Sequence, residues 1–435
     1  MHTDTHRFAA ALDLVHFIER SPTSFHAVET TRARLDQAGF APHDEAEPFG
    51  HTPGALGFVV RGGGSIIAWR CGRKAPAQGG FRVVGAHTDS PNLRLKPRLA
   101  RAREGYACLD VDVYGGVLLA TWTDRDLGIA GRVLCDVGDG RVEARLIRLE
   151  RPVARIPNLA IHLNREVNEK GLVLNKHQHL GPVFDLGGTV ESVRAHVLEA
   201  VAAAAGVDPR RVVGHDLALF DLQPPRLAGT DDTFVLAPRL DNLAMCHAGL
   251  RALLAAPPSD ATAVVALFDH EEVGSLSARG ADGTFLESVL ARLAGPEHDA
   301  LPRALARSWM VSADMAHAVH PHFADLHDRE HMPVLDQGPV IKTNFNQRYA
   351  SDGDSSAAFR RACIEAGVPC QEFVNRPDLA CGTTIGPISA ARLGLRTVDV
   401  GNPMLSMHSI REMAASGDVQ RMVDAMTVVL GGGVQ

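Results

Sequence analysis

The chain has 435 residues, enough for two domains or for one large core carrying an insertion. Hydrophobic residues make up 45% and charged residues 22%, the balance of an ordinary globular protein rather than a disordered one. The formal net charge of -7 argues against nucleic acid as a partner, and no uncharged apolar stretch is long enough to span a bilayer.

In chain order, the opening "MHTDTHRFAAALDLVHFIER" mixes Asp, His, Arg and Glu into its apolar positions, so it lacks the run that a secretory signal requires. Four apolar runs then open into polar residues: "RVVGAHTDS" (82–90), "TAVVALFDHEE" (262–272), "WMVSADMAH" (309–317) and "LRTVDVGNP" (395–403). Each reads as a short buried strand followed by a loop. Helical patterns alternate with them, at 241–256, 354–367 and finally 408–430, the last with a possible break at Gly417. This alternation predicts an α/β fold with a mostly parallel central sheet flanked by helices, in which ligands bind beyond the carboxyl ends of the strands. Residues 99–232 differ. "YACLDVDVYGGVLLATW" and "GRVLCDVGDGRVEARLIRL" read as β-hairpins, the latter turning at "GDG", before one helix at 192–206. The expectation is a β-rich domain over 99–232, inserted into a catalytic domain made of 1–98 and 233–435. Seven cysteines are scattered without a CxxC pair, which suggests neither a zinc ribbon nor a disulfide framework and points to a reducing cytoplasm.

The polar residues at the strand ends carry the chemistry. His87 and Asp89 lie two apart after the first strand, where a carboxylate commonly orients a metal-bound imidazole. Asp241 precedes a helix and reads equally as an N-cap. Glu271 and Glu272 are adjacent, and in isolation both suit a solvated loop. Asp314 and His317 close the third strand, and His408 stands at a loop junction where a structural role is the common alternative. As a set, these residues would meet at one edge of the sheet. Crowded carboxylates repel, and a divalent cation offsets that repulsion. Histidine and carboxylate without thiolate suit zinc, with manganese or cobalt as substitutes. Two such ions polarise a carbonyl and lower the pKa of a water between them, and a nearby base must take that water's proton. Paired glutamates can divide the labour, one on metal and one on the proton.

The chain resembles the aspartyl aminopeptidase family of dizinc metallopeptidases. The likeness runs through "FIERSPTSFHAV" (17–28), "GAHTDSPNLRLKP" (85–97), "IPNLAIHLNR" (156–165), "PRLDNLAMC" (238–246), "DHEEVGS" (269–275) and "SADMAHAVHP" (312–321). It continues through "GPVIKTNFNQRYA" (338–350), "CGTTIGPI" (381–388) and "MHSIREM" (407–413). The resemblance implies two zinc ions per subunit: His87 and Asp314 on one, Glu272 and His408 on the other, and Asp241 bridging them. Asp89 would orient His87, and Glu271 would be the general base. His317, Lys342 and Tyr349 would contact substrate, the lysine favouring an acidic first residue. His162, in the inserted domain, would reach a neighbouring subunit's site. The family's habit further implies a homo-oligomer, a tetrahedral dodecamer acting on short peptides with N-terminal Asp or Glu. His322, Phe345 and Met404 depart from the family's pattern near the substrate pocket, which bears on the strictness of acidic preference. Two other readings stand beside this one: a related dizinc aminopeptidase or deacylase with non-acidic substrates, and a non-catalytic metal-bound assembly protein.

Overall fold

The computed structural model describes residues 4–433, which form two compact units. The first takes the chain up to residue 89, then 225–407 and 412 onward; the second takes 90–224 and 408–411.

The first unit is built on a nine-stranded sheet. In chain order its strands are β1 (Ala41–His43), β2 (Leu56–Arg61), β3 (Ser65–Arg70), β4 (Phe81–His87), β5 (Thr262–Phe268), β6 (Trp309–Ala313), β7 (Val340–Thr343), β8 (Gln371–Val374) and β9 (Arg396–Gly401). Their spatial order is β1-β2-β3-β5-β4-β6-β9-β7-β8. The central four, β5, β4, β6 and β9, are parallel, as are β1 with β2 and β7 with β8; β2 with β3, β3 with β5 and β7 with β9 are antiparallel. Five of the eight pairings are parallel, so the sheet is mostly parallel as the sequence predicts, yet mixed rather than purely parallel. The reason lies at 56–70, where two strands are joined by a short Gly62–Gly63–Gly64 turn. No crossover helix fits into so few residues, so the pair must be antiparallel.

Every residue of β4 and β5 is buried, because both faces of the sheet are covered. Successive side chains point to opposite faces. Val84, Ala86, Val265, Leu267 and Val311 therefore join one core, with helices α1 (Asp4–Glu19), α2 (Leu240–Ala255), α4 (Gly353–Ala366) and α5 (Ser416–Leu430). Phe81, Val83, Val264, Phe268 and Met310 join the other, against α3 (Phe285–Ala294). Each fully buried side chain of this kind contributes about 1.5–3 kcal/mol. The helix predicted over 408–430 begins only at Ser416. Glu412–Ala415 is instead a strand, paired with Phe234–Ala237 and Pro403–Leu405. Gly417 lies in the first turn of α5 and breaks nothing.

The second unit is an antiparallel six-stranded sheet. Its strands run in the order Arg141–Ala154, Leu127–Gly138, Val212–Asp221, Asn92–Arg103, Tyr106–Tyr114 and Val183–Leu186. The "GDG" turn is a two-residue hairpin loop, closed by the Gly138–Arg141 pair. Asp139 and Gly140 take φ of 53° and 70°, the left-handed pair that matches strand twist. One helix, Val190–Ala205, lays Val193, Val197 and Val201 on the sheet at i, i+4, i+8. Thr189 caps it by accepting from the Ser192 amide, and Gly206 ends it at φ 66°.

The amino-terminal helix is anchored electrostatically. The Asp13 carboxylate accepts two bonds from Arg34, at 2.9 and 3.0 Å, one from Arg251 at 2.8 Å and one from His247 Nε2 at 2.8 Å. Burial alone would raise the Asp13 pKa, but these donors hold it well below the usual carboxylate range. His247 is fully buried, and that burial lowers its pKa against the opposing pull of Asp13. Asp13→Ala should cost about 1–3 kcal/mol by stranding these donors. Since folding depresses the Asp13 pKa, the contribution is present above its unfolded value of about 3.9 and is lost as pH falls below it. Urea midpoints of wild type and variant should differ at pH 7 and converge in acid. Identical midpoints at pH 7 would dismiss the anchor.

Candidate metal centre

The strand ends bring the predicted residues together. His87 is the last residue of β4, Glu271 and Glu272 start a 3-10 turn just past β5, and Asp314 follows β6. Asp241 sits in the first turn of α2 with non-helical backbone (φ -81°, ψ 104°), and its peptide bond to Asn242 is cis. Its amide donates to the Glu412 carboxylate at 3.1 Å, so Asp241 is not the N-cap that its sequence context also allowed. Asn242 is held beneath by its side-chain amide, which donates to the Ala313 carbonyl at 2.8 Å.

His87 is the buried hub. Its Nδ1 donates to the carbonyl of Asp89 at 3.0 Å, which leaves Nε2 as the nitrogen for a ligand. Nε2 faces Asp241 and Asp314, each at 3.5 Å, and Glu271 at 3.8 Å. The Asp89 carboxylate turns to the glutamates, accepting the amides of Glu271 at 3.1 Å and Glu272 at 3.2 Å. Donor atoms of His87, Asp241 and Glu272 all lie within 4.8 Å of one another.

This arrangement is short of positive charge. Burial raises the Glu271 pKa to about 8; His87 opposes the shift, while Asp314, Asp89 and Asp241 add to it. Burial, followed by Asp241, also drives Glu272 well above its ordinary value. Burial would lower the His87 pKa, yet Glu271, Asp241, Asp314 and Asp89 together carry it well above normal. Without metal, protons take up the charge that the carboxylates repel. One imidazole and several carboxylates, convergent and free of thiolate, are the donors zinc prefers, so the residues fit that ion.

The model of the "Aminopeptidase I zinc metalloprotease (M18)" family matches residues 17–428. The chain belongs to the M18 family of zinc aminopeptidases. A relative from Ectopseudomonas mendocina, named "Probable M18 family aminopeptidase 2", is 48% identical over 416 residues, covering 95% of this chain and 96% of its own. Its counterpart from Azotobacter vinelandii is equally identical over the same length. Among solved structures, Ape4 in its complex with Nbr1 superposes with a TM-score of 0.94 at 38% identity, covering 98% of this chain and 86% of that one. The S. cerevisiae mApe1 dodecamer gives 0.83 at 31%, covering 96% and 95%. The protein is thus a zinc-dependent hydrolase of peptides.

The remaining predicted residues fall in several places. Lys342 is buried, its ammonium 3.4 Å from Asp314 Oδ2 and donating to the Met315 carbonyl at 3.2 Å. Tyr349 is buried beside it, with the Lys342 Nζ 5.1 Å from its ring centre. His317 lines a cavity of about 290 Å³ with His327, Phe373, Arg376 and Met404. His408 belongs to the second unit, where its Nδ1 donates to the Gly116 carbonyl at 2.9 Å. His162 is exposed on the 3-10 turn Ile161–Leu163 of that unit. Of the substrate-side departures, Phe345 is 88% exposed, whereas Met404 is buried in the core.

Glu412 and Asp399 are the supports that sequence reasoning missed. Asp399 sits fully buried within β9, accepting from the Ser312 and Thr384 hydroxyls and the Ala350 amide. A lone aspartate in the apolar run "TVDVG" was the available signal, since a buried carboxylate must be hydrogen-bonded.

Chelation should expose the charge shortage. With raised folded-state pKa values for Glu271 and Glu272, and for His87, their stabilising contribution is complete below the unfolded values and is lost as pH rises through the folded ones, about 8 for Glu271. Urea melts of zinc-stripped protein should therefore lose stability from pH 5 to pH 9, and zinc should flatten that slope. A pH-independent apoprotein would contradict this account.

Proposed function

We propose that the protein removes N-terminal Asp or Glu from short peptides, using two zinc ions and Glu271 as general base. The observation that carries this reading is the buried His87 Nε2 facing Asp241, Asp314 and Glu271, with Glu272 close by. His87 and Asp314 would hold one ion and Glu272 and His408 the other, with Asp241 available to both, the allocation that the family resemblance implies. Asp89 keeps His87 in the tautomer that offers Nε2. Zinc, when bound, polarises the scissile carbonyl and acidifies water.

Glu271 takes the proton of the attacking water as its oxygen bonds to the carbonyl carbon. It returns that proton to the amine nitrogen as the carbon–nitrogen bond breaks. Asp89 fixes where the glutamate stands, through the amides of both Glu271 and Glu272.

Acidic preference is assigned to Lys342, whose buried ammonium favours a carboxylate nearby and penalises apolar competitors. His317 and Tyr349 complete the substrate contacts. The inserted domain drives self-association into a dodecamer, the assembly that S. cerevisiae mApe1 forms. His162 then stabilises the oxyanion in a neighbour's site. Support comes from the segment around it, where Leu159, Ile161 and Leu163 are 58%, 47% and 74% exposed, an apolar strip suited to burial against another copy. The cytoplasm is the assigned compartment.

Glu271→Gln should lower kcat by about 10²–10⁴-fold with zinc content retained. His162→Ala should also be nearly inactive. Dissociated subunits of the two variants, mixed and reassembled, should regain part of the activity, because some sites then combine an intact Glu271 with a donated His162. Full activity in the Glu271→Gln protein would end the general-base assignment, and failure of the mixture would confine His162 to its own subunit.

Substrate class is tested by assaying aspartyl, glutamyl, leucyl and N-acyl peptides in parallel. Acidic substrates should lead, and Lys342→Met should narrow their advantage over leucyl by about 10-fold or more, the scale of one lost charge-assisted contact. A leucyl or acyl preference in the wild type would favour the related aminopeptidase or deacylase.

A further inference from the structure

The central sheet has a second polar end, at the amino termini of the same four parallel strands. The turns entering β4, β5, β6 and β9 line a cleft of about 760 Å³, within the range of small-molecule sites. Five cations line it: Arg73, Lys74, Arg82, Arg307 and Arg396. Asp260 is the one acidic residue among the lining residues, and it is already shared, 2.8 Å from Arg73 and 2.9 Å from Lys74.

Arg82 is the informative residue. It is only 7% exposed, on a strand whose other residues before His87 are apolar or glycine. Its Nη1 donates to the carbonyls of Phe81 and Arg307 at 3.1 and 3.0 Å. Among the described residues its Nε has no hydrogen-bond partner and no carboxylate stands within ion-pair distance of it. Burial lowers its pKa, and Arg396 lowers it further, so the two guanidinium groups stand close enough to repel. Arg396 is exposed and also feels the Asp352 carboxylate. A buried cation costs stability unless an anion compensates it. A guanidinium with one nitrogen already committed to carbonyls still offers donors to a tetrahedral oxyanion, and several cations around one cavity suit a multiply charged one.

We propose that this cleft binds a phosphate-bearing small molecule, with Arg82 and Arg396 holding its phosphate oxygens. The cleft draws on none of the residues assigned to peptide hydrolysis, so it constitutes a separate site at the other end of the strands.

The test is calorimetric titration of the zinc-loaded full chain with inorganic phosphate, and with ADP in excess magnesium so that the nucleotide does not strip zinc. Wild type should bind at least one of them. Arg82→Gln and Arg396→Ser should each weaken that binding by about 10-fold or more, equivalent to 1.4 kcal/mol, with zinc content and peptide hydrolysis unchanged. Arg396 is exposed, so its variant keeps the test decisive should Arg82→Gln fold poorly. Binding of ADP but not phosphate assigns a nucleotide; binding of both assigns the phosphate group itself. Heats unaltered by both substitutions would place the anion elsewhere, at the metal centre above all, and overturn the proposal. So would an absence of binding, or a change of oligomeric state in the variants without any response to phosphate, which would make the cleft a contact between copies.

Discussion

One aspartate ties the buried polar residues at the strand ends into a unit. Asp89 presents its backbone carbonyl to His87 and its side chain to two successive amides, those of Glu271 and Glu272. It thereby couples the end of β4 to the turn after β5, segments 182 residues apart in sequence. Removing it would release the His87 imidazole and both glutamates together. The parallel, in-register pairing of β4 with β5, from Phe81 opposite Thr262 to His87 opposite Phe268, makes such a short bridge possible. Register is set by the alternation of Val83 and Val84, or Val264 and Val265, between two cores. A one-residue slip would exchange the faces of a whole strand.

The same geometry explains the electrostatics. Parallel strands that end together deliver their first polar residues to one place, and here most of those are acidic. Burial in the floor of the site converts that crowding into raised proton affinities. Lys342 adds a fixed positive charge beside Asp314, which trims the excess without abolishing it.

Much of this was legible in the sequence, for identifiable reasons. Buried strands opening into His, Asp or Glu mark both the sheet and its reactive end, and the "GDG" hairpin announces itself through turn chemistry. Three things were not legible. The antiparallel outer strands depend on connection length rather than on any local pattern. The segment 408–415 has helix-compatible residues, but Glu412 is committed to the Asp241 amide and its neighbours to a strand ladder, so tertiary pairing overrides propensity. Asp241 looked like a cap because an aspartate before an apolar helix usually is one. Its unusual backbone turns the side chain towards His87, which the family resemblance implied and the local sequence pattern alone did not.

The sheet's double-sided burial also bears on how such a protein can change over time. Along β4 and β5 the apolar side chains are all packed in one of two cores, so sequence drift at those positions is confined to swaps of similar volume. The exposed loop residues further from the strand ends, such as Leu276 and Phe345, carry no such restriction. New specificities can therefore accumulate in such loops while the scaffold that aligns His87 stays fixed, and the chemistry and the architecture can evolve at different speeds.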